Sequence, residues 1–101
     1  MTKDLALLWI EQGFQIAGRC AFRKSFKKYY PAYMDDKGVA HEAQEIEYCT
    51  EINFPSDKKA FVISFGVIKE GVFIPIKMES TSIGIETLRL ICKTVKELGW
   101  N

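Results

Sequence analysis

The chain has 101 residues, 48% of them hydrophobic and 13% aromatic, and a net charge of +1. Those values fit one folded domain over 1–101 and exclude a disordered chain. So small a charge makes no global case for nucleic-acid or membrane binding, and no apolar run approaches the ~20 residues of a membrane span.

Thr2 or Asp4 can cap a first helix. Leu5, Leu8, Trp9, Gln12 and Ile16 recur at helical spacing, with Leu7, Ile10 and Phe14 widening the stripe, which predicts a helix over 3–17. The apolar run 5–10 has no basic leader and meets Glu11, Gln12 and Gly13, so no signal peptide is expected.

From Cys20 to Tyr30 the period changes to two, which predicts a strand; a helix over 19–30 is the alternative, since Ala, Arg, Lys and Phe tolerate either state. Phe22, Phe26 and Tyr30 share the even parity with Lys24 and Lys28, while Arg19, Arg23 and Lys27 are odd. Pro31 and Asp35-Asp36-Lys37-Gly38 mark a loop. From Glu45 to Phe54 the alternation returns: Ile46, Tyr48, Thr50, Ile52 and Phe54 on one side, Glu45, Glu47, Cys49 and Glu51 on the other. One antiparallel register satisfies both segments. It turns the apolar residues inward and sets Arg19, Arg23 and Lys27 among Glu45, Glu47 and Glu51 outside. Opposite charges across such a ladder contribute about 0.2–1 kcal/mol per pair, and a one-residue slip would invert both faces.

Pro55-Ser56-Asp57-Lys58 predicts a turn, and Ala60–Ile68 a third strand. Glu70-Gly71 forms a two-residue hairpin that pairs Val67 with Ile74, Phe65 with Ile76 and Ile63 with Met78. Pro75 cannot donate to a ladder, so the last strand is an edge. Ser80-Thr81-Ser82 supplies caps for a closing helix whose stripe is Ile85, Leu88, Ile91, Cys92, Val95 and Leu98. The predicted class is α+β: a four-stranded antiparallel meander flanked in sequence by an N-terminal and a C-terminal helix, in a two-layer sandwich. The alternative is one helix on each face.

This element order is similar to that of double-stranded-RNA-binding domains. Those open their last helix with a lysine cluster, whereas this chain reads Ser82-Ile83-Gly84-Ile85-Glu86 there. The resemblance is one of element order, and no functional residue carries over from it.

Chemistry is sparse. His41 is the single histidine, and Cys20, Cys49 and Cys92 are an odd number without a CxxC pair, as expected of reduced thiols in a cytoplasmic protein. No zinc site or Cys–His nucleophile is predicted. Asp35-Asp36 before Lys-Gly reads as a turn rather than a cation site. No phosphate-binding loop, dinucleotide fingerprint or hydrolase motif is present. The reading is a non-enzyme with no cofactor or metal; a nuclease using the cationic strand is the catalytic alternative, with no residue to assign.

Two functional classes remain. The first is a small non-catalytic protein-binding module, an inhibitor/immunity-type or phage-accessory factor acting through an exposed sheet face. With both helices on one face, Tyr29, Val62, Ile68 and Phe73 lie open on the other, for another protein or a second copy in a homodimer. The second is a nucleic-acid binder using the basic-aromatic segment 19–33: Arg19, Arg23, Lys24, Lys27 and Lys28 for phosphate, Tyr29, Tyr30 and Tyr33 for stacking. The facing glutamates neutralise part of that charge, which favours the first class.

Overall fold

The computed structural model describes residues 2–57, 59–77 and 82–100. Helix α1 (Lys3–Glu11) begins at Thr2, whose hydroxyl accepts the Leu5 N–H at 3.3 Å. It ends earlier than the predicted 3–17. The Gly13 N–H bonds Ile10 O and the Phe14 N–H bonds Trp9 O, with Gly13 at φ +91°, a conformation that costs glycine little. The reversal turns the remainder of the expected helix into strand β1 (Gln15–Gly18).

Strands β2 (Ala21–Tyr30), β5 (Gln44–Asn53), β6 (Val62–Lys69) and β7 (Val72–Pro75) are the four expected from the sequence. The simple four-stranded meander sandwich is nonetheless wrong as a description. Strand β1 adds to the outer edge of β2, giving an antiparallel sheet of order β1-β2-β5-β6-β7 that curls into an open half-barrel. The expected loop between β2 and β5 contains a separate ribbon, β3 (Tyr33–Met34) against β4 (Ala40–His41). Asp35 closes that ribbon: its Oδ1 accepts the N–H groups of Lys37 and Val39, both at 2.9 Å.

The β2–β5 register pairs Arg23 with Glu51, Lys27 with Glu47 and Phe22 with Ile52, which has the parity that the alternation predicts. The β6–β7 hairpin pairs Val67 with Ile74, and Ile76 donates to Phe65 O. Its turn residues Glu70 and Gly71 both have positive φ, 52° and 76°. Met78, expected opposite Ile63, lies outside the described residues.

Helix α2 (Ile85–Glu97) differs from expectation in its start and its rotation. Gly84 is the N-cap and makes no side-chain cap bond; Ser80 and Thr81 lie outside the described residues. The buried face is Leu90, Ile91 and Thr94, while Ile85, Leu88 and Cys92 are exposed. The reason is a hydrogen bond. The Trp9 indole N–H donates to Thr94 Oγ1 at 3.0 Å, and that hydroxyl donates to Leu90 O at 2.8 Å. A buried indole N–H without an acceptor is costly. Facing Thr94 inward therefore outweighs burying one more aliphatic.

Trp9 centres the core. It stacks on Phe22 at 4.3 Å and meets Phe14 edge-on at 4.9 Å, with Leu5, Ile52, Phe54, Leu90 and Ile91 around them. This cluster occupies one end of the sheet. Ten residues of β2 extend ~33 Å, whereas α1 and α2 span only ~14 and ~20 Å, so the helices cannot cover the strands. The molecule measures 57 × 25 × 25 Å, and the second layer exists only over the end that holds Trp9.

The curl has a local cause. A Cβ placed on Gly66 would meet Ile74 O at 2.1 Å and Pro75 Cα at 2.8 Å, so β7 leans across the sheet where Gly66 leaves room. Gly66 pairs with Cys49, which is 1% exposed although its parity pointed it outward. The leaning strand shields it.

Two outcomes follow. Gly66→Ala should destabilise the fold by about 2 kcal/mol or more, read as a lower urea midpoint, because backbone must move to admit the methyl group. Thr94→Val keeps the shape but strands the Trp9 N–H, and should cost about 1–3 kcal/mol in the same measurement.

Candidate functional site

The two sheet faces differ in charge. One, the core face, carries Phe22, Lys24, Phe26, Lys28 and Tyr30 on β2, together with Tyr48, Phe65, Val67, Lys69 and Ile74 on the partner strands. The other, the charged face, carries Arg23 and Lys27 with Glu45, Glu47 and Glu51. Every acidic residue of β2, β5, β6 and β7 lies on the charged face. The period of two produces this segregation, since the three glutamates of β5 all have odd numbers.

The charged face neutralises itself. Arg23 Nε donates to Glu51 Oε2 at 2.6 Å, and the guanidinium sits 5.1 Å from the Phe73 ring centroid. Two strands separate Arg23 from Phe73, and the curl brings them together. Lys27 lies 3.9 Å from Glu45 across solvent, a weak pair. Burial pushes the Cys49 thiol above its ordinary pKa, disfavouring the reactive thiolate.

Of the residues singled out for protein binding, Ile68 and Phe73 are register partners and both half-buried. Val62 is exposed at one end, opposite Asn53, and Tyr29 is exposed at the other, opposite Glu45. All four share the charged face, but the Arg23–Glu51 pair and Lys27 lie between them. They form no continuous patch.

The residues considered for nucleic acid are divided as well. Arg19 lies in the turn between β1 and β2. Arg23, Lys27 and Tyr29 face one way; Lys24, Lys28 and Tyr30 face the other. Tyr33 is on the β3–β4 ribbon, stacked on His41 at 4.5 Å. His41 Nε2 is 3.0 Å from Asp35 Oδ2, and this bond, with the backbone donors, holds the Asp35 carboxyl below its ordinary pKa. Among the described residues no three potential metal ligands come together.

The open half of the core face is what sequence reasoning missed. Beyond the helices, Phe26, Tyr48 and Phe65 stack in a row across three strands, with centroids 5.4 and 5.7 Å apart. The Tyr30 and Tyr48 hydroxyls share a hydrogen bond of 2.7 Å, which raises the Tyr48 pKa by holding its proton. Val67 and Ile74 continue the apolar surface onto β7. Phe26 is 54% exposed and Ile74 42%, values foreign to a core. Lys24 lies 5.6 Å from the Phe14 ring and Lys28 5.2 Å from Tyr30; with Lys69 they form no ion pair among the described residues. Strand length was the available signal: ten alternating residues extend ~33 Å, further than the ~22 Å of even the helix expected over 3–17.

A recess of about 260 Å³ adjoins this surface where α2 begins, lined by Phe14, Lys24, Phe26 and Gly84 among others. A more apolar groove, about 390 Å³, runs along α2 between Phe61, Leu88, Cys92 and Val95. Among the described residues no helix is long and apolar enough to cross a membrane. Comparison with protein-family models, curated proteins and solved structures finds no match to this chain.

The Arg23–Glu51 geometry makes a specific forecast. Arg23→Glu and Glu51→Arg should each lower stability by about 1 kcal/mol, and the double variant should recover at least half of the summed loss in a denaturation cycle. Strictly additive losses would mean that the two charges are not coupled.

Proposed function

We propose that this chain is a small non-catalytic protein-binding module that takes its partner on the open half of the core face. The observation that carries this is the row of exposed Phe26 with half-buried Tyr48 and Phe65, continued by half-buried Val67 and exposed Ile74 beyond the reach of the helices. Exposed aromatic and aliphatic side chains in a contiguous patch with a polar rim form the usual centre of a protein interface. The rigid sheet beneath holds them in place, so little conformational entropy is lost on docking. The small size and the preformed sheet face suit an inhibitor/immunity-type or phage-accessory factor working in the cytoplasm.

Nucleic-acid binding is the second reading, and Lys24, Lys28 and Lys69 beside aromatic rings are the observation in its favour. Ring orientation weighs against it. Bases stack on free ring faces, but Tyr48 has a ring on either side and offers only its edge. Arg23 is committed to Glu51 as well.

An affinity experiment tests the assignment. Wild-type protein should retain a partner from a lysate of its source cells, and Phe26→Asp should lose that partner with no change in melting temperature. A labelled oligonucleotide bound tightly at low salt, with a steep loss of affinity on adding salt, would instead support the second reading. Absence of any partner, with a monomeric mass in solution, would remove the first.

A further inference from the structure

The segregation of charge by face specifies what the partner must look like. On the core face Lys24 and Lys28 flank Phe26 along β2, each two residues away, and Lys69 lies two residues beyond Val67 on β6. By register, lysines therefore stand on both sides of the apolar row along the strand direction, Lys24 on one and Lys28 and Lys69 on the other. The strands contribute no carboxylate to this face. Three exposed lysines without an ion pair among the described residues give this apolar centre a positive border.

Two occupants fit poorly. A second copy docking face to face would set lysine against lysine around the same apolar centre, which repels. A nucleic acid would satisfy the lysines but find both faces of Tyr48 already occupied and nothing to stack on at Ile74.

Resting on the protein-binding reading, we infer that the occupant is a protein segment with an apolar ridge flanked by aspartate or glutamate, an acidic amphipathic helix or strand being the simplest form. The ridge covers Phe26, Tyr48 and Val67. The flanking carboxylates meet Lys24, Lys28 and Lys69. Charge complementarity of this kind mainly selects among partners and speeds encounter, while the apolar centre supplies most of the affinity.

Synthetic probes test this without the natural partner. Fluorescence anisotropy would compare an amphipathic helical peptide with a leucine stripe and glutamate flanks, the same peptide with lysine flanks, and an oligothymidylate of similar length. The acidic peptide should bind at least about tenfold more tightly than the basic one. Lys24→Glu with Lys28→Glu should reverse that preference, and Phe26→Ser should weaken both peptides. All three substitutions are at exposed positions, and an unchanged circular-dichroism melt would show that the fold survives them.

Equal binding of both peptides, weakened alike by Phe26→Ser, would overturn the acidic border and leave the docking face standing. No binding of either peptide, or no effect of Phe26→Ser, would overturn both. Preference for the oligothymidylate would also overturn both. A stable dimer dissolved by Phe26→Ser would make the second copy the occupant and overturn the acidic partner.

Discussion

The register between β2 and β5 is the constraint on which the rest depends. Because side chains alternate at every residue, pairing Arg23 with Glu51 also pairs Phe22 with Ile52 and Phe26 with Tyr48. A slip by one would bury the glutamates and expose Phe22. The same register that builds the core therefore gathers the carboxylates of β5 on one face, leaving the other with lysines alone. Core, ion pairing and candidate docking surface are three consequences of one alignment.

Helix length and the Trp9 anchor decide how much of the core face is used for stability. Trp9 lies flat on Phe22 and donates to Thr94, tying α1, β2 and α2 together at one end of the sheet. Rotating α2 to present Thr94 removes Leu88 and Cys92 from the interior. The arrangement gives up some apolar burial to satisfy one indole N–H. It leaves the far end of the sheet uncovered, where Phe26 and Ile74 face solvent. The edges are treated differently from that face. Pro75 removes an N–H from β7, and β1 is only four residues long, so neither edge is a strong template for strand addition. The broad surface available to a partner is the face.

Much of this could be read before any coordinates. The strands β2, β5, β6 and β7, their order in the sheet, the Arg23–Glu51 pairing and the Glu70-Gly71 hairpin all follow from short-range patterns: period two, opposite charges, and turn residues that tolerate positive φ. The expected first helix runs past its observed end because Phe14 and Ile16 continue a helical stripe, while Gly13 breaks it through a dihedral that periodicity does not sense. The β3–β4 ribbon was hidden because two-residue strands carry no alternation to detect. The open half of the core face is not legible for a different reason: parity says which residues share a face, but not how far a helix reaches along it.

By itself, the sequence determined what is local and periodic: which residues alternate, which charges can meet across a ladder, and where the chain can turn tightly. Only the tertiary structure decided which stretch of the apolar face would be covered, how α2 would rotate, and that β7 would lean over Cys49. Those outcomes depend on distances between elements far apart in the chain, on the ~1.5 Å rise of a helix residue against the ~3.3 Å of a strand, and on a single buried donor that had to find its acceptor.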